Sequence, residues 1–287
     1  MINKTLNKIA FLGPCGTYCE EAKNFFGEKF GIKESIPLSS IKKVIEFTRN
    51  TPDTAGVIPI ENSIEGVVRE TMDNLLKVSG INITAETVIE INHCLICAGD
   101  DISRIKKVYS HPQALAQCHN TLETLLLSGY ETIETSSTGR AIHDLTRLDD
   151  TCAAIGNELA AESAGLNILK YKINDEPDNK TRFVFISPNT APPTGCDRTS
   201  IAFSTKNEAG ALVKVLNVFD ELKLNLCYID SRPSKKNLGE YVFFADFEAH
   251  IEEEKSQKAL CAIKKHTNFV KVLGSYEHIK ADRKSVV

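Results

Sequence analysis

The sequence predicts an α/β protein in which strands alternate with helices, followed by a smaller region with the order βαββαβ. Through residues 1–186, short apolar runs are each followed by a polar turn and by apolar residues at helical spacing. A segment rich in proline and small polar residues, 187–198, separates this pattern from the second one. Alternating strands and helices form largely parallel sheets, whose ligands lie beyond the carboxyl ends of the strands.

Composition indicates a globular protein. The 287 residues are 42% hydrophobic and 25% charged, enough for one large core or two to three smaller ones. The formal net charge is -4, and no basic stripe is interleaved with aromatic residues, so nucleic acid is not an expected partner. No apolar run has membrane-spanning length and the N-terminus lacks the features of a signal peptide, so we expect a cytoplasmic protein that does not bind membranes. Nine scattered cysteines fit a reducing compartment.

A strand at residues 55–60 is predicted to deliver polar side chains to the start of a helix. Pro59 marks the end of this strand, because proline has no N–H for a ladder. Asn62 or Ser63 is expected to cap the helix that follows. Free backbone N–H groups and the helix dipole make such a place suitable for an anion, although an ordinary capped helix has the same pattern.

The same sequence of strand, polar turn and helix recurs along the chain. Strand 8–12 precedes a helix that ends near Gly27, and strand 108–110 precedes a helix that begins at Pro112. The other predicted elements of the first region are a helix at 40–48, one or two strands within 83–98, strands at 131–135, 152–156, 168–173 and 183–186, and helices that start near Ser137 and Asn157.

The region after the segment 187–198 is predicted to be ferredoxin-like. Its predicted elements are strands at 199–205, 225–230 and 240–248, helices at 209–222 and 254–266, a loop containing Lys235, Lys236 and Gly239, and a last strand. We therefore expect one domain at 1–186, a linker at 187–198 and a second domain at 199–287.

Motifs for metal, nucleotide or serine-hydrolase chemistry are missing from the sequence. Cys94 and Cys97 form a C-x-x-C beside His93, but the pair lies in a strand-like run, so we interpret it as packing and expect no metal. The remaining polar candidates are neutral hydrogen-bonding residues beside one cation, Arg182. The neutral residues are Thr17, Asn62, Ser63, Ser110, Gln117, Ser137, Thr138 and Thr181. Such a set suits a small molecule with several carboxylates, and a solute-binding protein and a cofactor-free enzyme explain it equally well.

Four segments, in order, resemble the signature blocks of the prephenate dehydratase family. They are Gly13-Pro14-Cys15-Gly16-Thr17-Tyr18, Pro59-Ile60-Glu61-Asn62-Ser63-Ile64-Glu65-Gly66, Ser110-His111-Pro112-Gln113-Ala114-Leu115 with Gln117, and Asn179-Lys180-Thr181-Arg182-Phe183. The C-terminal region resembles an ACT regulatory domain. The resemblance implies a two-lobed catalytic region like that of type II periplasmic binding proteins, with one lobe at roughly 1–80 plus 168–186 and the other at 81–167.

Two positions depart from the family pattern. The Ser-Thr-Ala block of the family is here Ser137-Thr138-Gly139-Arg140-Ala141, which either adds a positive charge near the cleft or points Arg140 to solvent. Asp230 stands where the family usually has glutamate.

The resemblance also implies a function, the conversion of prephenate to phenylpyruvate without a cofactor. It assigns Thr181 to a hydrogen bond with the leaving oxygen. Binding of carboxylates and ring substituents is expected from Arg182, Asn62, Ser63, Thr17, Ser110, Gln117 and Thr138, with Glu61 and Glu134 as orienting residues. Arogenate dehydratase and a non-enzymatic amino-acid sensor are the alternatives.

Feedback inhibition by L-phenylalanine is the regulation that the resemblance implies. The effector is expected between two segments that meet across a subunit interface of a dimer or tetramer. They are Gly210-Ala211-Leu212-Val213 and Asp230-Ser231-Arg232-Pro233.

Overall fold

The computed structural model describes residues 5–127, 129–234 and 240–278. Its strands form a ten-stranded sheet and a five-stranded sheet, so the predicted α/β class is confirmed. In the part of the chain that the structure describes, no helix is both long and apolar enough to cross a membrane. The predicted loop at Lys235, Lys236 and Gly239 lies outside the described residues.

The elements of the first lobe are β1 (Lys8–Leu12), α1 (Tyr18–Phe30), β2 (Glu34–Leu38), α2 (Ile41–Asn50), β3 (Thr54–Asn62), β4 (Gly66–Val67), α3 (Arg69–Lys77) and β5 (Asn82–Glu90). The second lobe contains β6 (Cys94–Cys97), a 3-10 turn (Ile102–Arg104), β7 (Lys107–Ser110), α4 (Pro112–Gln117), α5 (His119–Leu125), β8 (Glu131–Glu134), α6 (Thr138–Leu145), β9 (Cys152–Gly156), α7 (Glu158–Ala164) and β10 (Asn167–Lys170). The chain then returns to the first lobe as β11 (Lys180–Ser187).

Each lobe is built around its own sheet. In the first lobe, β1 is parallel to β2 and β3, whereas β11 is antiparallel to β3 and β5. Helices α2 and α3 contribute to one apolar cluster and α1 contributes to another. In the second lobe the strand order is β10-β6-β9-β7-β8. Residues 91–93 and 171–179 connect the lobes, which confirms the two-lobed architecture.

The C-terminal region has the predicted βαββαβ order. Its elements are β12 (Asp197–Thr205), α8 (Ala211–Glu221), β13 (Leu226–Pro233), β14 (Tyr241–Phe247), α9 (Glu254–Ile263) and β15 (Thr267–His278). The strand order β13-β14-β12-β15 is antiparallel throughout, as a ferredoxin-like sheet requires.

The C-terminal sheet continues into the sheet of the first lobe. Strand β15 pairs in parallel with β5, and Gly274 lies opposite Ile83. A Cβ atom at position 274 would overlap the Ile83 carbonyl oxygen, so glycine permits this close approach of two backbones. The result is one sheet of ten strands that spans both regions.

The prediction that a helix starts at Asn62 or Ser63 is wrong. These residues belong to a turn, and α3 begins only at Arg69. The carboxamide oxygen of Asn62 accepts hydrogen bonds from the N–H groups of Ile64 and Glu65, and Gly66 adopts a φ of 77°. This local bonding folds the chain back as β4 against β3 instead of starting a helix.

Four further boundaries differ from the expectations. Strand β5 pairs within the first lobe and β10 within the second, so both lie on the other side of the predicted lobe borders. The helix from Pro112 is interrupted at Cys118, whose φ of -122° is not helical. Helix α1 continues past Gly27 and ends at Gly31 in the left-handed conformation.

Candidate active site

The register between β3 and β11 decides which of the predicted site residues share a face. Thr181 pairs with Asn62, and Arg182 pairs with Glu61. Because successive side chains of a strand point to opposite faces, Thr181 and Asn62 lie on one face while Arg182 and Glu61 lie on the other.

The hydroxyl of Thr181 is oriented by Asn62. Two backbone N–H groups, of Ile64 at 3.0 Å and Glu65 at 2.9 Å, fix the carboxamide oxygen of Asn62. The amide nitrogen of Asn62 therefore donates to Thr181 Oγ1, at 2.9 Å. Since Thr181 Oγ1 accepts this bond, its own hydrogen is free to bond an oxygen of a ligand.

Asn179, which the sequence reasoning did not select, connects the two lobes. Its Oδ1 accepts from Asn62 at 2.8 Å, and its Nδ2 donates to Gln117 Oε1 at 3.0 Å. Gln117 ends α4 of the second lobe, and its Nε2 lies 3.4 Å from Glu65 Oε1 in the first lobe. The sequence contains a signal that would have identified Asn179. In extended chain, side chains two positions apart point to the same face, so a polar residue two positions before Thr181 is expected beside it.

The two serines of the predicted site are engaged by the backbone. Ser63 Oγ donates to the carbonyl of Asp178 and accepts from the N–H of Lys180, at 3.1 and 2.9 Å. Ser110 is fully buried and donates to the carbonyl of Ile155 at 2.9 Å. The hydrogen of the Ser110 hydroxyl, predicted to bind the ligand, is thus engaged by a backbone carbonyl. Ser63 joins the turn after β3 to the segment that leads into β11.

Thr17 and Thr138 occupy the starts of two helices at the junction of the lobes. Thr17 precedes α1 and donates to the carbonyl of Pro14 at 3.1 Å, whereas Thr138 is the first residue of α6. A Cβ atom at Gly139 would overlap the carbonyl oxygen of Cys15. Glycine at this departure from the family pattern thus lets the second lobe touch the turn at 13–16.

The other two charged residues of this region are exposed. Arg140 pairs with Asp144 at 2.9 Å on the surface of α6, so it points to solvent. Glu134 is exposed at the end of β8, where it is in register with Ser110.

Arg182 is predicted to bind substrate carboxylates, but its guanidinium already binds acidic groups of the protein. It contacts Glu86 Oε2 at 2.6 Å, Asp246 Oδ2 at 2.7 Å and the Tyr276 hydroxyl at 3.0 Å. Glu61 lies 3.6 Å away on the same face, opposite to Thr181. Only 8% of Arg182 is exposed.

This buried cluster joins the first lobe to the C-terminal region. Glu86 belongs to β5, whereas Asp246 and Tyr276 belong to β14 and β15. Although burial opposes the positive charge, Tyr276 and the two carboxylates hold the pKa of Arg182 well above its usual range. The guanidinium is therefore a permanent charge between the two regions.

Two further groups predicted to be chemically inactive are buried. The His93 ring has Nδ1 at 3.2 Å from the Tyr18 hydroxyl, and burial lowers the pKa of His93 to about 4, so it is neutral at pH 7. Cys94 and Cys97 lie within β6, and burial raises the pKa of Cys94 to about 11. A thiol with this pKa is not a nucleophilic thiolate at neutral pH.

The predicted effector segments lie on neighbouring parts of the C-terminal region. Gly210, Ala211, Leu212 and Val213 line an open pocket of about 270 Å³ together with residues 205–208, Tyr241 and Phe243. Asp230, Ser231, Arg232 and Pro233 lie on the edge strand β13, where Ser231 and Pro233 pair with Phe243 and Tyr241. In addition, Arg232 reaches Asp73 of α3 at 3.8 Å.

Comparisons with known proteins agree with the motifs. The prephenate dehydratase family model matches residues 9–191. A bifunctional chorismate mutase/prephenate dehydratase of Aquifex aeolicus is 45% identical, over 94% of this chain and 73% of that protein. A prephenate dehydratase of Methanocaldococcus jannaschii is 40% identical, over 94% of this chain and 98% of that protein.

A solved structure also superposes on nearly the whole chain. The prephenate dehydratase of Arthrobacter aurescens in complex with L-Phe has a TM-score of 0.85 and 31% identity, and the match covers 94% of this chain and 90% of that one. The similarity therefore includes the C-terminal region as well as both lobes.

Proposed function

The chain belongs to the prephenate dehydratase family, and we propose that it converts prephenate to phenylpyruvate. The observation that carries this proposal is the hydroxyl of Thr181, which accepts from Asn62 at 2.9 Å and keeps its own hydrogen for a ligand.

The reaction requires little beyond orientation and stabilisation of one leaving group. The bond between the ring and its carboxylate breaks, carbon dioxide leaves, and the electron pair moves through the ring to expel the hydroxyl, which takes up a proton and departs as water. Formation of the aromatic ring supplies the driving force. The protein must fix the ring and stabilise the negative charge that grows on the departing oxygen.

Thr181 is suited to this stabilising role. A threonine hydroxyl is too weak an acid to give up its proton near neutral pH, so it donates a hydrogen bond while the proton that completes the water comes from solvent. The preset direction of the hydroxyl avoids reorganisation at the moment of reaction.

Carboxylate binding falls to groups other than Arg182. Gln117 Nε2 is a neutral donor at the junction of the lobes, and Thr17 and Thr138 stand there at the starts of α1 and α6. The first N–H groups of a helix attract anions, which supports a carboxylate site at these two helix starts.

The test is a turnover assay with purified protein, without added metal or nucleotide. We expect phenylpyruvate from prephenate, and a loss on the order of a hundredfold in kcat for Thr181→Ala, because one donor to a developing charge is removed. Thr181→Ser is the matched control, since it keeps the hydroxyl and is expected to keep most of the rate. Undiminished turnover by Thr181→Ala would refute the role of this hydroxyl.

Parallel assays separate the alternatives. Faster turnover of arogenate than of prephenate would make the chain an arogenate dehydratase. Tight amino-acid binding without turnover of either substrate would indicate a sensor instead.

We further propose that L-phenylalanine inhibits the enzyme by binding in the pocket next to Gly210, and that the protein is a dimer or tetramer. The pocket at 205–213 and the L-Phe complex of the similar structure support this proposal. Gly210 has a φ of 77°, so a larger residue there would strain the backbone. Val213→Glu is the better test, because an exposed pocket wall then carries a charge that repels the carboxylate of the effector.

We expect phenylalanine to lower the rate of the wild type and to have little effect on Val213→Glu. Sedimentation with and without phenylalanine measures the oligomeric state. A monomer that phenylalanine still inhibits would refute the proposed interface, and absence of both heat and inhibition in the wild type would refute the effector.

A further inference from the structure

The side chain of Asn179 bonds side chains of both lobes, and it lies next to Thr181 and its partner Asn62. It is only 2% exposed, and both ends of its carboxamide are bonded. The oxygen accepts from Asn62 of the first lobe at 2.8 Å, and the nitrogen donates to Gln117 of the second lobe at 3.0 Å.

The direction of each hydrogen bond in this chain of amides is determined. Backbone N–H groups hold the oxygen of Asn62, so its nitrogen must be the donor to Asn179. The oxygen of Asn179 is thereby the acceptor, and its nitrogen must donate to the oxygen of Gln117. The nitrogen of Gln117 is then left as a donor, beside Glu65.

We infer that Asn179 is a positioning residue for the dehydration, which holds Asn62 in line with Thr181 and turns the N–H donors of Gln117 toward the substrate. The inference rests on the proposed function. Without Asn179, the NH₂ group of Asn62 is shared only between Thr181 and the carbonyl of Lys180 at 3.1 Å, and Gln117 can rotate to present its oxygen. An oxygen there would repel a substrate carboxylate.

The backbone of Asn179 is anchored independently of this role. Its carbonyl accepts from the N–H of Ile91 at 2.8 Å, in the other segment that connects the lobes. A side-chain substitution therefore leaves the connection between the two segments in place, and its effect reports on the carboxamide.

Asn179→Ala removes both bonds, and Asn179→Asp keeps the shape of the side chain and the acceptor for Asn62 but loses the donor to Gln117. A misplacement of about 1 Å at a reacting centre costs on the order of a hundredfold in rate, so we expect kcat/KM to fall by between about tenfold and a hundredfold in Asn179→Ala. Asn179→Asp is expected to act mainly through KM, because its change is confined to the Gln117 side.

Asn174 supplies a matched control in the same connecting segment. Its oxygen accepts from the N–H of His93 at 2.7 Å and its nitrogen donates to the carbonyl of Ile91 at 3.0 Å, so Asn174→Ala removes a similar pair of bonds without touching Asn62, Gln117 or Thr181. We expect Asn174→Ala to lose about as much thermal stability as Asn179→Ala, but to keep kcat within about threefold of the wild type. The two variants differ in rate because only Asn179→Ala misplaces groups at the reacting centre.

A double-mutant cycle with Gln117→Ala separates positioning from general structural loss. If Asn179 acts through Gln117, the loss caused by Gln117→Ala is smaller in the Asn179→Ala background than in the wild type. Equal kcat and KM in Asn179→Ala, Asn179→Asp and wild type, or losses that multiply across the cycle, would overturn the inference while the wild type still turns over prephenate. Absence of turnover in the wild type would overturn the proposed function, and this inference with it.

Discussion

Replacement of Arg182 distinguishes a structural cation from a substrate-binding one. In Arg182→Met the guanidinium is lost, and the carboxylates of Glu86 and Asp246 remain in the interior. Glu86 keeps an ion pair with Arg198 at 2.8 Å, so the uncompensated charge rests mainly on Asp246, whose side chain is 7% exposed. Loss of one partner of a buried pair costs about 3–5 kcal/mol, and because Glu86 is still paired we expect the lower end of that range.

The measurement is urea unfolding of wild type and variant, with steady-state kinetics on the same samples. The control is Arg140→Met, which removes an ion pair of the same kind at 2.9 Å from an exposed helix surface. Exposed pairs are worth about 0–1 kcal/mol, so the control should unfold at nearly the same urea concentration as the wild type. Adding Asp246→Asn to Arg182→Met should recover part of the lost stability, because the unpaired charge is removed.

A single result would refute this reasoning. If Arg182→Met unfolds like the wild type while KM for prephenate rises tenfold or more, Arg182 binds substrate and its contacts with Glu86 and Asp246 are incidental. A stability loss with little change in KM supports the structural assignment.

Three smaller predictions concern other close contacts. Gly139→Ala should lower kcat several-fold, because its Cβ must push the backbone at Cys15 away. Gly274→Ala should destabilise the fold by about 1–3 kcal/mol, measured by thermal unfolding, because overpacking separates β15 from Ile83. The pKa of His93 falls from 6.5 to about 4 on folding. As the pH is lowered, His93 is therefore protonated in the unfolded chain before it is protonated in the folded protein. Stability is lost as the pH falls from 6.5 to 4, by on the order of 3 kcal/mol, and His93→Gln should lack this dependence.

Each of these has a clear contrary outcome. A rate equal to wild type in Gly139→Ala would mean that the lobes do not need this contact during turnover. An unchanged melting temperature in Gly274→Ala would mean that the junction of the sheets adapts at no cost. An equally steep pH dependence in His93→Gln would show that other groups cause it.

The sequence was sufficient where short-range patterns agree with the final packing. Alternation of strands and helices, the βαββαβ order and the capping of α6 by Ser137 followed from periodicity and capping alone. The same periodicity misled the prediction after Asn62, because apolar residues at helical spacing also fit a turn followed by a late helix. The side-chain bonds of Asn62 and the glycine at 66 decided that conformation.

The conflict between the predicted role of Arg182 and its contacts could be foreseen in part from the sequence. Thr181 and Arg182 are consecutive in a strand, so alternation alone predicts that they cannot both face one ligand. What no local pattern contains is the partner of Arg182, because Asp246 and Tyr276 are more than 60 residues away in the chain. The pairing of β5 with β15 is likewise a long-range contact. Gly274 permits it, but a glycine in a strand does not predict which strand will lie beside it.

The continuous sheet means that the two regions cannot be treated as interchangeable modules. A protein cut after residue 191 would lack β15, so β5 would become an open edge with unpaired N–H and C=O groups at and near Ile83. The guanidinium of Arg182 would also lose Asp246 and Tyr276. Such edges recruit strands from other molecules and lead to aggregation. Insolubility of such a fragment would therefore result from the exposed edge of β5. Fragments of this chain are better designed with their ends in loops far from the β5–β15 pairing.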